Sequence, residues 1–300
     1  MISKLLGVRL FDIEVSSKCN LRCKFCPRDR IPETGFMQPT TFLRFLDFVK
    51  LTHTDTVSFI GIGEPLLNPY TIHYLRQIKE RYPRARTWIT TNGQLLNPKM
   101  VKELLDADLG TLDISFNGIQ KSKYESLMVG AHFEKTIESI EYIVNEIEKT
   151  HSRMRLQINF IISPQKSEET ENIKLFWQSH GVRFFRIQKL HNRGGLIGNA
   201  VGNKKNAIKS CDLFEVFSWI SWKGDFHMCC HDILRKNAIG NIFQDTWDGI
   251  KMRKLSITRN KAWPEFCEKC NDPQQFELWK TLDRDVWHDI ILELKRILKG

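Results

Sequence analysis

The chain has 300 residues, 41% hydrophobic and 27% charged, the balance of a water-soluble globular protein large enough for a barrel with a small companion domain. No run of 18 apolar residues occurs and the start is charged too early for a secretory signal, so neither a membrane span nor export is expected, and the cytoplasm is the expected compartment. The net charge of +10 is spread along the chain, so solvated helix faces account for most of it and a nucleic-acid substrate is not expected.

In chain order, an apolar run over 8–15 predicts a strand that leads into three closely spaced cysteines, Cys19, Cys23 and Cys26, with Phe25 just before the third. A helix over 39–51 places Phe42, Leu43, Leu46 and Val49 on one face. The second strand, 56–60, ends in the turn Gly61, Ile62, Gly63, Glu64, Pro65. Asn68 and Pro69 open a helix through Tyr74, Leu75 and Ile78 that breaks before Pro83. A third strand over 87–90 ends at the turn signal Thr91, Asn92, Gly93, and a helix over 99–106 follows Asn97 and Pro98. The fourth strand, 111–116, carries Ser115 near its end, with Asn117 beyond it, and Tyr124, Glu125 and His132 read as surface helix positions. A long amphipathic helix over 132–149, a strand over 155–162, a helix over 168–180 and a strand over 183–188 complete the pattern. Six strands alternating with helices predict parallel βα units that curl into a barrel or partial barrel, with the chemistry in loops after the strands.

Past the sixth strand, His191, Asn192 and Arg193 are expected to overhang the barrel mouth, and the Gly-, Asn- and Lys-rich stretch 194–210 reads as a linker. Aromatic strand-like pieces over 217–222 and 226–229 around Lys223, Gly224 and Asp225 predict a hairpin. A final amphipathic helix over 278–298 is expected to dock on the barrel in preference to a membrane surface.

Eight cysteines in such a chain point to metal or redox chemistry before disulfides, and they form two groups. Three thiolates within eight residues would hold three irons of a [4Fe–4S] cluster and leave the fourth iron open, whereas structural zinc normally takes four ligands. The second group offers Cys211, then Cys229 and Cys230 after the hairpin, then the pair Cys267 and Cys270. Four thiolates from three separated places suit a zinc site and an iron–sulfur cluster equally on spacing alone.

The spacing of Cys19, Cys23 and Cys26, with Phe25, resembles the signature of the radical S-adenosylmethionine (SAM) superfamily, and residues 61–65 resemble its glycine–glutamate motif. The resemblance covers about 8–190. It implies a partial (βα)6 barrel in which the open iron chelates SAM and reductive cleavage gives a 5′-deoxyadenosyl radical that takes a hydrogen atom from substrate. It further implies that Gly61, Gly63 and Glu64 meet the methionine end of SAM, that Asn92 and Ser115 contact its polar groups, and that Phe25 packs near the adenine. Asn117 stands where many relatives have Asp. The segment 206–275 resembles the SPASM and shorter twitch extensions, which tips the late cysteines toward one auxiliary [4Fe–4S] cluster on Cys211, Cys229, Cys267 and Cys270, with Cys230 spare. The expected organisation is a core domain over 1–205, a small α+β auxiliary cluster domain over 206–275 and a terminal helix over 276–300.

A two-electron oxidation of a small polar or sugar-like substrate is therefore expected, fed by a reducing electron donor such as flavodoxin or ferredoxin. Epimerisation, with Cys230 as the hydrogen donor, and modification of a ribosomal peptide are the alternatives within the class. A zinc-bearing nucleic-acid-binding protein is the alternative outside it.

Overall fold

Within the barrel strands apolar and polar side chains alternate, so each strand needs one face covered and leaves the other available. The computed structural model describes residues 9–52, 55–162, 167–197 and 211–272. Strands β1 (Leu10–Ile13), β2 (Thr56–Phe59), β3 (Arg86–Thr91), β4 (Thr111–Ser115), β5 (Arg155–Ile162) and β6 (Phe184–Lys189) pair in parallel in sequence order. Between them run α1 (Pro39–Val49), α2 (Thr71–Arg81), α3 (Pro98–Asp106), α4 (Lys121–Leu127), α5 (Phe133–Thr150) and α6 (Ser167–Ser179). Helix starts follow the capping rules: Asn97 accepts the Met100 N–H at 3.0 Å with Pro98 in the first turn.

One face of the sheet carries Phe11, Val57, Ile89, Leu112 and Ile158, all fully buried under the helices. Aromatic rings lock that layer: Phe11 meets Phe45 edge-on at 5.6 Å, Phe42 stacks on Tyr74 at 4.2 Å, and Phe116 meets Trp177 at 4.7 Å. Each such pair adds about 1 kcal/mol beyond its area burial.

Strand register places the polar residues together on the other face. Asp12, Ser58 and Trp88 form one row, and Ser115, Asn159 and Arg186 another. On β3 the residues of this face, Trp88 and Thr90, stay partly exposed while Thr87, Ile89 and Thr91 are buried. In a flat sheet β6 would lie roughly 24 Å from β1, at about 4.8 Å per strand. The Arg186 guanidinium on β6 nevertheless acts electrostatically on Asp12 of β1, so the sheet curls with its polar face inward.

The C-terminal hairpin extends this sheet. Strand β7 (Phe217–Ile220) pairs in parallel with the free edge of β1, and β8 (Asp225–His227) and β9 (Ala238–Asn241) continue antiparallel, making nine strands. The Gly224 turn needs its left-handed φ of 88°. Trp247, at the start of α8 (Trp247–Asn260), packs on Phe11 at 5.5 Å and Phe226 at 5.9 Å and so ties hairpin to barrel. Two short helices, α7 (Asp212–Val216) and α9 (Glu265–Lys269), flank the late cysteines.

Tyr124 is not a surface residue as its helix pattern suggests. It is fully buried, stacks on Phe116 at 4.2 Å and shares a hydrogen bond with Thr136 at 3.0 Å. The expected boundary near 205 and the terminal helix over 278–298 lie outside the described residues. Among the described residues no helix is long and apolar enough to cross a membrane.

Candidate active site

The first cysteine loop leaves β1 and is held by backbone bonds to the last residue of α4 and the turn that follows it. Arg22 N–H donates to the Val129 carbonyl and Lys24 N–H to that of Leu127, both at 2.9 Å, while Cys26 N–H closes a turn onto the Cys23 carbonyl at 3.1 Å. Arg28 braces the loop from below, donating to the carbonyls of Cys19 (3.0 Å) and Leu21. Sequence reasoning missed this brace. Burial raises all three thiols; Cys26 adds to the rise of Cys19, and burial, then Cys26 and Cys19, push Cys23 up to about 12. Such thiols stay neutral alone and ionise only against a bound cation, which is the chemistry of a cluster ligand set. The Leu21 N–H directed at the Cys19 sulfur (3.4 Å) also suits a thiolate.

The 61–65 turn packs directly behind that loop. A Cβ on Gly63 would lie 2.2 Å from the Ser16 carbonyl oxygen and 2.7 Å from that of Lys18, so only glycine permits this approach. The Glu64 N–H donates to the Lys18 carbonyl at 2.8 Å. Glu64 is buried, and its carboxylate accepts from Leu66 N–H (3.1 Å), the Thr91 hydroxyl (2.8 Å) and Asn92 N–H (2.8 Å). Burial pushes Glu64 up to about 7, against these donors. Asn92 in turn donates to the Asn20 side chain at 2.8 Å and approaches the Cys19 sulfur at 3.8 Å. Cysteine loop, glycine–glutamate turn and the end of β3 thus form one unit, with Phe25 partly buried at its edge. Ser115 stands on the inner face beside Asn159, and among the described residues no side-chain hydrogen bond ties it to the loop. Asn117 serves structure: its side-chain oxygen accepts the Ile161 N–H at 2.8 Å, joining the ends of β4 and β5.

The second set also converges. Cys229 feels Cys230 first and then Cys267 and Cys211, and Cys267 and Cys211 both feel Cys270, so the late cysteines lie near one another. Burial and mutual repulsion push Cys211 up to about 12, so the pocket too fits a bound cationic centre. Cys229 and Cys230 follow β8 in a turn, off the strand that would have pointed them to opposite faces. Cys229 receives the His231 N–H at 3.4 Å, while Cys230 lies 3.9 Å from the His231 ring nitrogen.

Three further features were not foreseen. Lys254 is half-buried near Cys211, donating to the Phe217 carbonyl at 2.6 Å; desolvation of its ammonium pulls it down to about 8. His191 and His231 both face the buried Asp272, at 3.7 and 2.8 Å. Arg193 N–H donates to His191 Nδ1 (3.4 Å), which assigns the His191 proton to Nε2, on the side of Asp272; His231 hydrogen-bonds Asp272 while His191 only approaches it, and the trio joins the end of β6 to the second cysteine group. Finally, several buried polar atoms of the inner face lack partners among the described residues: Asn159 Oδ1, Arg186 Nε, Trp219 Nε1 and Arg235 Nη1.

Comparisons with known proteins agree with this geometry. The sequence profile of the radical SAM superfamily matches residues 13–159, and that of an iron–sulfur cluster-binding domain, SPASM, matches 211–271. The chain is 24% identical over 273 residues to the S-adenosyl-L-methionine-dependent 2-deoxy-scyllo-inosamine dehydrogenase of Niallia circulans, covering 88% of this chain and 92% of that protein. It spans about half the length of other curated relatives it matches. Among solved structures, BtrN in complex with AdoMet and 2-DOIA shares the fold with a TM-score of 0.61 at 20% identity, over 90% of this chain and 97% of that one. Streptococcus suis SuiB bound to the precursor peptide SuiA gives 0.61 at 16%, over 87% and 69%. Two profiles that cover both cysteine groups in chain order decide for iron–sulfur chemistry over zinc. The chain belongs to the radical SAM superfamily, an enzyme whose cofactors are a SAM-binding [4Fe–4S] cluster, SAM itself and an auxiliary [4Fe–4S] cluster.

Proposed function

We propose that this enzyme removes two electrons and two hydrogens from a small, hydroxyl-rich, sugar-like molecule, converting a secondary alcohol to a carbonyl. The observation that carries this reading is the polar inner face of the barrel, where Asn159, Arg186, Trp219 and Arg235 present unpaired hydrogen-bonding atoms. Three of the four are N–H donors, which suits oxygen acceptors on a ligand. Arg186 is pre-set by its ion pair with Asp113 and its position over Trp88 at 5.6 Å, so little freedom is lost when it binds.

Cys19, Cys23 and Cys26 would hold the first cluster, and Cys211, Cys229, Cys267 and Cys270 the auxiliary one. Gly61, Gly63, Glu64, Asn92, Ser115 and Phe25 would seat SAM: the glycines by admitting close backbone approach, Glu64 by its charge toward the ammonium, Phe25 by packing on the adenine. When bound, these groups supply one electron to SAM, a 5′-deoxyadenosyl radical that takes a substrate hydrogen atom, and an acceptor for the second electron. The external reductant would be a flavodoxin- or ferredoxin-like protein. The relation to a 2-deoxy-scyllo-inosamine dehydrogenase over nearly its full length supports the oxidation.

Anaerobic turnover with 2-deoxy-scyllo-inosamine and related aminocyclitols tests it: a product two mass units lighter, with stoichiometric 5′-deoxyadenosine, is expected. Unchanged mass in H2O, with a gain of one mass unit in D2O, would instead mean epimerisation. Half-buried Cys230, beside Cys229 and 3.9 Å from the His231 ring nitrogen, is the hydrogen donor in that second reading, and Cys230→Ala would then stop turnover. Activity only toward a peptide would move the enzyme to the class of the SuiB-like neighbours.

A further inference from the structure

One buried ion pair ties the 61–65 turn to the auxiliary segment. Glu14, just past β1, is fully buried. Its charge is met from 221 residues later in the chain by Arg235, whose Nη2 donates to both carboxylate oxygens at 2.7 and 2.6 Å. The same guanidinium lies 4.2 Å over the Trp219 ring of β7, which fixes its plane. On its other side, Glu14 Oε1 accepts the Ile62 N–H at 3.4 Å, and its Cγ occupies the space where a Cβ on Gly61 would lie, 2.7 Å away. Glu14 therefore supports the inside of the glycine–glutamate turn.

Arg235 is itself positioned by the turn that follows the second cysteine group. Its backbone takes a left-handed φ of 57°, and its N–H donates to the Asp232 carbonyl at 3.0 Å. Asp232 is anchored by His227 at 2.9 Å and by Asn237 N–H at 2.8 Å, and its own N–H donates to the Cys229 carbonyl at 3.1 Å. An unbroken chain of contacts thus runs from Cys229 through Asp232, Arg235 and Glu14 to Ile62.

We infer that Arg235 is a positioning residue which makes SAM affinity depend on the folded auxiliary segment, acting through Glu14 on the 61–65 turn. Neither Arg235 nor Glu14 needs to touch SAM. Without the guanidinium, Glu14 is a buried carboxylate with no counter-ion and no fixed rotamer, and the turn loses its support. The inference rests on the assignment of 61–65 as the SAM turn.

The test titrates SAM into reduced holoenzyme with both clusters assembled and follows the change in the first cluster's electron paramagnetic resonance. Arg235→Met should raise the half-saturating SAM concentration about tenfold, the usual scale of a coupling mutation, at wild-type iron content, with Arg235→Lys between. Glu14→Gln combined with Arg235→Met should return within about threefold of wild type, because no uncompensated carboxylate remains. Should Arg235→Met fail to fold or load iron, the double variant alone carries the test. An Arg235→Met protein that titrates like wild type, or a double variant weakened tenfold or more, overturns the inference. Wild-type protein that does not respond to SAM at all would overturn the assignment of the turn instead.

Discussion

The two cysteine groups are assembled by opposite routes. Cys19, Cys23 and Cys26 share one loop whose shape comes from bonds to a neighbouring segment and from a single arginine brace. Cys211, Cys229, Cys267 and Cys270 come from three places and meet because a hairpin adds β7 to the edge of β1. In the proposed assignment the local loop would supply three sulfurs and leave a coordination position for a ligand. The collected set would supply four and close its centre. An open centre binds and activates; a closed one, without a free iron, is suited to passing electrons.

The strongest test of that contrast removes one ligand from each. Cys19→Ala should reduce 5′-deoxyadenosine formation on the order of a thousandfold while the auxiliary cluster's iron remains. Cys267→Ala should leave reductive SAM cleavage intact at saturating SAM but abolish the oxidised product, with half the iron lost; equal loss of both activities would erase the division of labour. Next in size is Gly63→Ala, whose new Cβ must displace the Ser16 carbonyl from 2.2 Å. SAM affinity is expected to fall at least about tenfold by titration, with auxiliary iron unchanged.

A smaller effect concerns the inner face between the two groups. Burial raises Asp12 from its ordinary 3.8 to about 7, opposed by Ser58 and by the Arg186 charge. A folded pKa above the unfolded one means stability present at low pH is lost as pH rises from about 4 through 7. Asp12→Asn should therefore stabilise the protein at pH 8, by on the order of a few kcal/mol, and make little difference near pH 4. Thermal midpoints at the two pH values check this; an Asp12→Asn protein no more stable at pH 8 would mean the carboxylate is better paired than its surroundings indicate.

Legibility from sequence divides along the same line as the two cysteine groups. The βα order, the three-cysteine loop and the glycine–glutamate turn were readable because spacing and periodicity are local properties. The inner face is written in the charged and amide residues at alternate strand positions (Asp12, Asp113, Gln157, Asn159, Arg186), although the apolar runs alone do not reveal it. Tyr124 misled because a lone aromatic in a polar helix says nothing about Phe116 and Phe133, which enclose it. The pairing of β7 with β1, the convergence of His191, His231 and Asp272, and the Glu14–Arg235 ion pair had no local signal. They exist only once distant segments meet.

The central claim is that one centre is open to SAM and the other is closed. Electron paramagnetic resonance of the reduced holoenzyme, recorded before and after SAM is added, tests it most directly. Two reduced cluster signals are expected, of which one shifts with SAM and the other does not. A single signal, or two that both shift or both stay fixed, would contradict the account.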